Sequence, residues 1–251
     1  MRFLPLASKI LHILATIGFL LVSWQIFSIL LDTPAFPPPE QAVRSFLKIF
    51  RSDLAGHLGV SFYRIMFSLV VATILGVPLG LFLGKSKKAD RLSAPFIYLT
   101  YPVPKVVFLP IILILLGIGN TSKIVLITLI VFYQILVTTR DAAKNLPKEY
   151  ILSIRSLRAT ERELYQHIYF PACLPAILTS LRLGLGTAMA VLFLVETYAT
   201  REGIGFFIMD SWSSLAYDQM FAGIIAMGLM GFILYLLLDF GEKVLCSWVN
   251  P

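Results

Sequence analysis

Apolar residues run through this chain in long blocks, and short polar stretches separate them. Ile10 to Leu31 is the first block, followed by Gly59 to Gly84, Ala94 to Leu116, Ile124 to Val137, Leu174 to Thr197 and Phe221 to Leu238. Each is long enough, or nearly so, to cross a hydrocarbon layer as a helix. The expected fold is all-α, a polytopic membrane protein of about six transmembrane helices. Thr33 to His57 breaks the pattern. After a run of prolines, Val43, Phe46, Leu47 and Phe50 recur at helical spacing with Arg44, Lys48 and Arg51 opposite. That pattern fits a helix lying on a bilayer surface or one packed against the protein's own spans. The expected organisation is a unit of 1–57, the first span plus this segment, and a core of 58–251.

Composition agrees with the pattern. Of 251 residues, 58% are hydrophobic and 14% charged, against about 25% charged in soluble domains. Little chain remains for a separate catalytic domain. The net charge of +7 would suggest nucleic acid in a soluble protein, but here the positive residues cluster in particular loops. Lys85, Lys87, Lys88 and Arg91 crowd one of them, and Arg140, Lys144, Lys148, Arg155, Arg158 and Arg162 another. By the positive-inside rule both loops lie in the cytoplasm, which places both termini there too. Nucleic acid is not an expected partner; the bilayer is.

The second basic loop, Thr139 to Pro175, is the one long polar interruption. Pro147 suits a first helical position. Tyr150, Ile154 and Leu157 fall on one stripe, Thr160-x-x-Glu163 has the form of a capping box, and Leu164 and Ile168 carry the stripe on until Pro171 closes it. The result is a helix–turn–helix with an apolar face, exposed between two spans and suited to dock on a partner.

In this loop Arg158 is followed at the proper interval by Ile168-Tyr169-Phe170-Pro171, and Arg155-Ser156-Leu157 and Ala159-Thr160 flank it. The pattern resembles the coupling loop in permease subunits of binding-protein-dependent ABC importers, in the nitrate, sulfonate, taurine and bicarbonate branch. The sequence departs from that family in two places: Leu152-Ser153-Ile154 replaces the usual acidic–Ala–Ala triplet, and Arg158 stands where the family has glycine. The third span, with Pro95, Pro102, Pro104 and Pro110 and with Lys105 inside it, is similar to the same branch. So is the aromatic segment after Glu196, Gly203 to Trp212.

The resemblance implies a homodimer, a cytoplasmic ABC ATPase dimer that carries ATP-Mg, and an extracytoplasmic solute-binding protein. It implies that Ile154, Arg155, Ser156, Leu157, Arg158, Ala159 and Thr160 contact the ATPase, and that the solute is a small anion or zwitterion. No cofactor is expected in this chain, and it is not expected to be an enzyme. It has no G-x-x-x-x-G-K-[ST] loop to hold ATP phosphates, and His12, His57 and His167 are too far apart for a metal cluster. Cys173 and Cys246 are expected as reduced thiols. Lys105, Glu196, Arg64 and Arg182 are the ionisable residues in or near spans, and such residues mark transport pathways by default. Arg64 is also near enough to a helix end to snorkel to the interface. The alternative function is a secondary transporter or channel driven by an ion gradient, which would place ionisable groups deep in several spans.

Overall fold

The computed structural model describes residues 6–198 and 200–249, and every regular element among them is helical. Met1 and Pro251, the expected cytoplasmic termini, lie outside the described residues.

Helix α1 spans Leu6–Leu31 and stands apart, with no buried residue from Leu14 to Leu31. It is tied to the rest near its C-terminal end. Trp24 donates through Nε1 to the Pro37 carbonyl at 3.0 Å and stacks on Phe221, and Ser28 donates to the Phe36 carbonyl. Helix α2, Pro39–Ile49, begins with proline at its first turn, where the missing N–H is not needed. It packs on the last helix of the chain, with Ala42 buried and Phe46 and Ile49 against the core. Of the two readings open for this segment, packing against the protein's own spans is the one realised.

A π-type turn, Phe50–Leu54, leads into α3, Ala55–Lys85. Helices α3, α6 (Asn120–Lys144) and α9 (Phe170–Glu196) form the centre of the bundle. The α3–α6 seam is close because Gly76, Gly80 and Gly84 present no side chain to it. A Cβ on Gly80 would lie 2.9 Å from the Leu136 carbonyl oxygen and 2.7 Å from Cβ of Thr139. In an apolar solvent such backbone approach supplies the packing that hydrophobicity cannot.

Helix α4, Lys87–Thr100, and helix α5, Leu109–Leu116, are two limbs of the expected third span. They meet at a 78° bend across Pro102 and Pro104. Proline supplies no N–H at either position, so helical bonding stops there. Among the described residues five helices are long and apolar enough to cross a membrane, or six if the bent pair is one span. Helix α6 outruns the expected Ile124–Val137 at both ends. Its last turn buries Thr139, Arg140 and Ala143 against α3, so the polar residues there are the end of a span and not the start of a loop.

The basic loop holds α7, Lys148–Ser156, and α8, Glu161–Leu164. Pro147 precedes α7 as its N-cap and is not its first helical residue. Pro171 does not close the second loop helix. A π-type turn over Tyr165–Tyr169 carries α8 into α9, where Pro171 falls in the first turn, so Glu161–Glu196 is one helical column. Helix α10, Ile204–Ser213, folds back against α9 and α11, and α11 runs from Tyr217 to Leu245. It therefore extends past Leu238, where the last apolar block ends. Cys173 and Cys246 are buried free thiols.

Candidate functional site

Two polar assemblies occupy opposite ends of the α3–α6–α9 core. The first joins the start of α3 to the end of α9. Arg64 is 2% exposed and Glu196 0%, and Nη1 of Arg64 donates to Oε1 of Glu196 at 2.6 Å. Arg64 therefore does not snorkel. Its Nε donates to Oδ1 of Asn120 at 2.8 Å, and Nη1 also reaches the Glu202 carbonyl at 3.0 Å. Ser61, one turn before Arg64, donates its hydroxyl to the Glu196 carboxylate and accepts from the Ile204 N–H at 2.8 Å. The Gly205 N–H donates to Oε2 of Glu196 at 2.8 Å, and the Gly203 N–H to Nδ1 of His57 at 3.1 Å.

Gly203 has φ +111, and a Cβ there would fall on the Glu196 carboxylate. Glycine at this position admits the carboxylate to the backbone donors. Each oxygen of Glu196 and each of the Arg64 contacts above is thus satisfied inside the protein, the condition under which a buried ion pair is tolerated. Lys123, just before the expected start of the fourth span at Ile124, is 1% exposed in the first turns of α6 and donates to the Gly119 carbonyl.

The second assembly is the basic loop and its supports. Helix α7 ends in a Schellman motif. The Ala159 N–H donates to the Ile154 carbonyl at 3.4 Å and the Arg158 N–H to the Arg155 carbonyl at 3.0 Å. Arg158 holds the left-handed position, φ +59. The turn that the glycine pattern implied is therefore present, with arginine in it. Thr160 then caps α8, donating from its N–H and hydroxyl to Oε2 of Glu163 and accepting the Glu163 N–H. The donations from Thr160, the backbone one first, hold the Glu163 carboxyl below its ordinary pKa. A depressed carboxyl stabilises the fold while ionised, so the capping box is intact at neutral pH and weakens as pH falls through the folded pKa.

The apolar stripe of this loop splits. Leu164 is buried and Ile151 and Ile154 pack against the core, while Tyr150, Leu152 and Leu157 face outward, Leu157 with 77% exposure. Lys85, the last residue of α3, pairs with Glu161 and sits over the Tyr165 ring at 4.0 Å. Asp90 in α4 receives both Arg140 and Lys144 of α6. The first contact fastens the loop to the end of α3, and the second joins α4 to the end of α6 beside it.

Of the four ionisable residues expected in the pathway, the structure joins two, Arg64 and Glu196. Arg182 pairs with Asp239 and Glu242 of α11. Lys105 lies at the α4–α5 bend, where its Nζ donates to the Thr100 and Tyr101 carbonyls at 2.7 and 2.6 Å. Ser61, His57 and Asn120 were not singled out from the sequence. A hydroxyl one turn before an intramembrane arginine is a faint signal, and His57 and Asn120 gave none.

A family model for binding-protein-dependent transport system inner membrane components matches residues 76–249. The chain belongs to that family. It is the membrane-embedded permease subunit of an ABC importer, a transport component and not an enzyme, and the gradient-driven alternative is set aside. The chain is 33% identical to the taurine transport system permease protein TauC of Escherichia coli, over 97% of this chain and 92% of that protein. It is 28% identical to the putative aliphatic sulfonates permease SsuC of Bacillus subtilis, over 90% and 83%. It is 26% identical to the nitrate import permease NrtB of Synechocystis, over 94% and 89%. The inward-facing MetNI methionine ABC transporter has a chain of the same fold, with a TM-score of 0.65 at 18% identity, covering 79% of this chain and 96% of that one.

Proposed function

We propose that this permease carries a small singly charged anion or zwitterion of the sulfonate, taurine or nitrate kind, and that residues 154–160 dock on its ATPase. The observation that carries the second part is the outward turn at Leu157 and Arg158. An exposed leucine beside an arginine in a left-handed position is costly for the chain alone, and a partner surface offsets that cost. We further propose two copies of the chain, two ATPase subunits and an external binding protein, with the basic loop and both termini in the cytoplasm. The 1–57 unit is proposed as an addition to the core, which suits the lack of buried residues over Leu14–Leu31. Arg64 and Glu196 we assign to a joint that travels as a unit beside the pathway, and Arg182 to a clasp between α9 and α11. Lys105 is left for the solute.

The test is uptake of labelled taurine, ethanesulfonate and nitrate by proteoliposomes holding the complete complex, with the binding protein outside and ATP within. Transport of none of the three overturns the solute class. Labelling of Lys87→Cys by an impermeant reagent from outside intact cells overturns the orientation.

A further inference from the structure

The bend between α4 and α5 opens a cavity of about 380 Å³ whose chemistry the fold does not use. Tyr101, Lys105, Tyr133, Gln134, Thr187 and Val191 line it. The Lys105 ammonium has three N–H groups. Two of them bind the Thr100 and Tyr101 carbonyls at the bend, the first of which also accepts the Val103 N–H at 3.2 Å. Its Nζ stands 4.4 Å from the Tyr133 ring centroid, and the Tyr133 hydroxyl is fixed on Oγ1 of Thr100 at 3.1 Å. Among the described residues no carboxylate lies within ion-pair distance of Lys105, in contrast to Arg64, Arg140 and Arg182. The Gln134 carboxamide, on the facing side of α6, has no hydrogen-bond partner among the described residues. Thr187 of α9 makes one long bond, 3.4 Å, to the Leu183 carbonyl.

A cation at apolar depth without a counter-ion is costly, and two carbonyl dipoles offset only part of the cost. Beside it stand an amide with both N–H groups unspent and a hydroxyl whose single O–H is held by one long bond. We infer that this cavity receives the charged head of the solute: a monovalent oxyanion, sulfonate in the first instance, that accepts from Lys105, the Gln134 amide and the Thr187 hydroxyl. One lining cation balances one negative charge, and a dianion would leave a net charge in the low-dielectric bend. Val106, Ile130 and Val191 offer an apolar wall to an organic tail. The inference rests on the solute class proposed above and adds its site.

The full complex carrying Thr187→Cys is treated with (2-sulfonatoethyl) methanethiosulfonate and, separately, with its trimethylammonium analogue. The native Cys173 and Cys246 are buried. The anionic reagent is expected to be favoured about tenfold over its ratio at an exposed control cysteine, the size one nearby charge can supply. Lys105→Gln removes the preference, and millimolar ethanesulfonate slows the reaction. Gln134→Leu leaves both carbonyl bonds of Lys105 in place and is expected to weaken that protection severalfold. If Lys105→Gln fails to assemble, the Gln134→Leu arm decides alone. A preference unchanged by Lys105→Gln, or protection unchanged by Gln134→Leu, overturns the inference. The uptake assay separates the two failures. Charge selection at position 187 without sulfonate uptake removes the solute class and keeps an anion pocket. Uptake without charge selection removes the pocket and keeps the class.

Discussion

Arg64 and Glu196 are 132 residues apart in sequence and 2.6 Å apart in space, Arg64 in the third turn of α3 and Glu196 at the end of α9. The pair binds α3 to α9, and through Asn120 and the 202–205 backbone it binds α6 and the approach to α10 as well. Glu196→Ala leaves the guanidinium buried and unpaired, and a loss of about 3–5 kcal/mol is expected. Replacing both partners, Arg64→Met with Glu196→Leu, recovers much of it. Thermal unfolding in detergent measures both. A double variant no more stable than Glu196→Ala rules out the pair as the source of the loss.

Gly80→Ala is expected to lower stability by about 1–3 kcal/mol, the range for overpacking a tight interior. The added methyl meets the Leu136 carbonyl at 2.9 Å, and backbone inside a helix has no rotamer to yield. Gly186, on α9, has open space beyond its Cα, so Gly186→Ala serves as the control and is expected near neutral. Equal melting temperatures for the two variants argue against a close α3–α6 seam.

Leu157→Asp is expected to abolish coupled transport while leaving the isolated permease folded, because the side chain is 77% exposed and touches no core residue. Loss of an apolar anchor costs about 1–3 kcal/mol of docking. Copurification with the ATPase and uptake by the complex are the measurements. Wild-type values for both mean that the contact surface lies elsewhere in the loop.

At Arg158 two effects oppose each other. Glycine accepts φ +59 without penalty, so Arg158→Gly relieves about 1 kcal/mol in the free subunit. The arginine makes no ion pair among the described residues. If its guanidinium grips a carboxylate of the ATPase, the same substitution lowers uptake, and the deficit changes with salt when the pair is exposed. ATP hydrolysis and uptake at low and high ionic strength separate the effects. Wild-type coupling by the variant at both salt levels eliminates the ion pair.

Long apolar runs made the spans legible, since period and length are properties of neighbouring residues. The capping box at Thr160 and Glu163 was legible for the same reason: it is closed within a few residues. The left-handed turn at Arg158 was not, because arginine stands where glycine would have announced it. Helix ends were not. Thr139 and Arg140 read as loop because they are polar, and only their contacts with α3 and Asp90 show why a helix continues through them. The Arg64–Glu196 pair lay beyond the sequence too. The apolar flank of Arg64 signalled cost but not the partner, since pairing over such a separation depends on how α3 and α9 cross. The outward turn of Leu157 and inward turn of Leu164 likewise follow from the angle between α7 and α8, which periodicity does not encode.

The unbroken column from Glu161 to Glu196 has one last consequence. At about 1.5 Å per residue it is roughly 50 Å long, and it holds Lys85 at its foot and Arg64 at its head. A stiff member gripped at both ends converts a push into a tilt. If the docked turn at Arg158 is displaced by the closing ATPases, the foot of the column moves with it, and the far tip must swing about whatever point in the bundle stays still. Arg64 and its neighbours then feel the nucleotide cycle without any relay of intermediate side chains. On that reading the distance between the docked turn and the Arg64–Glu196 end of the bundle is bridged by leverage, in a single piece of backbone.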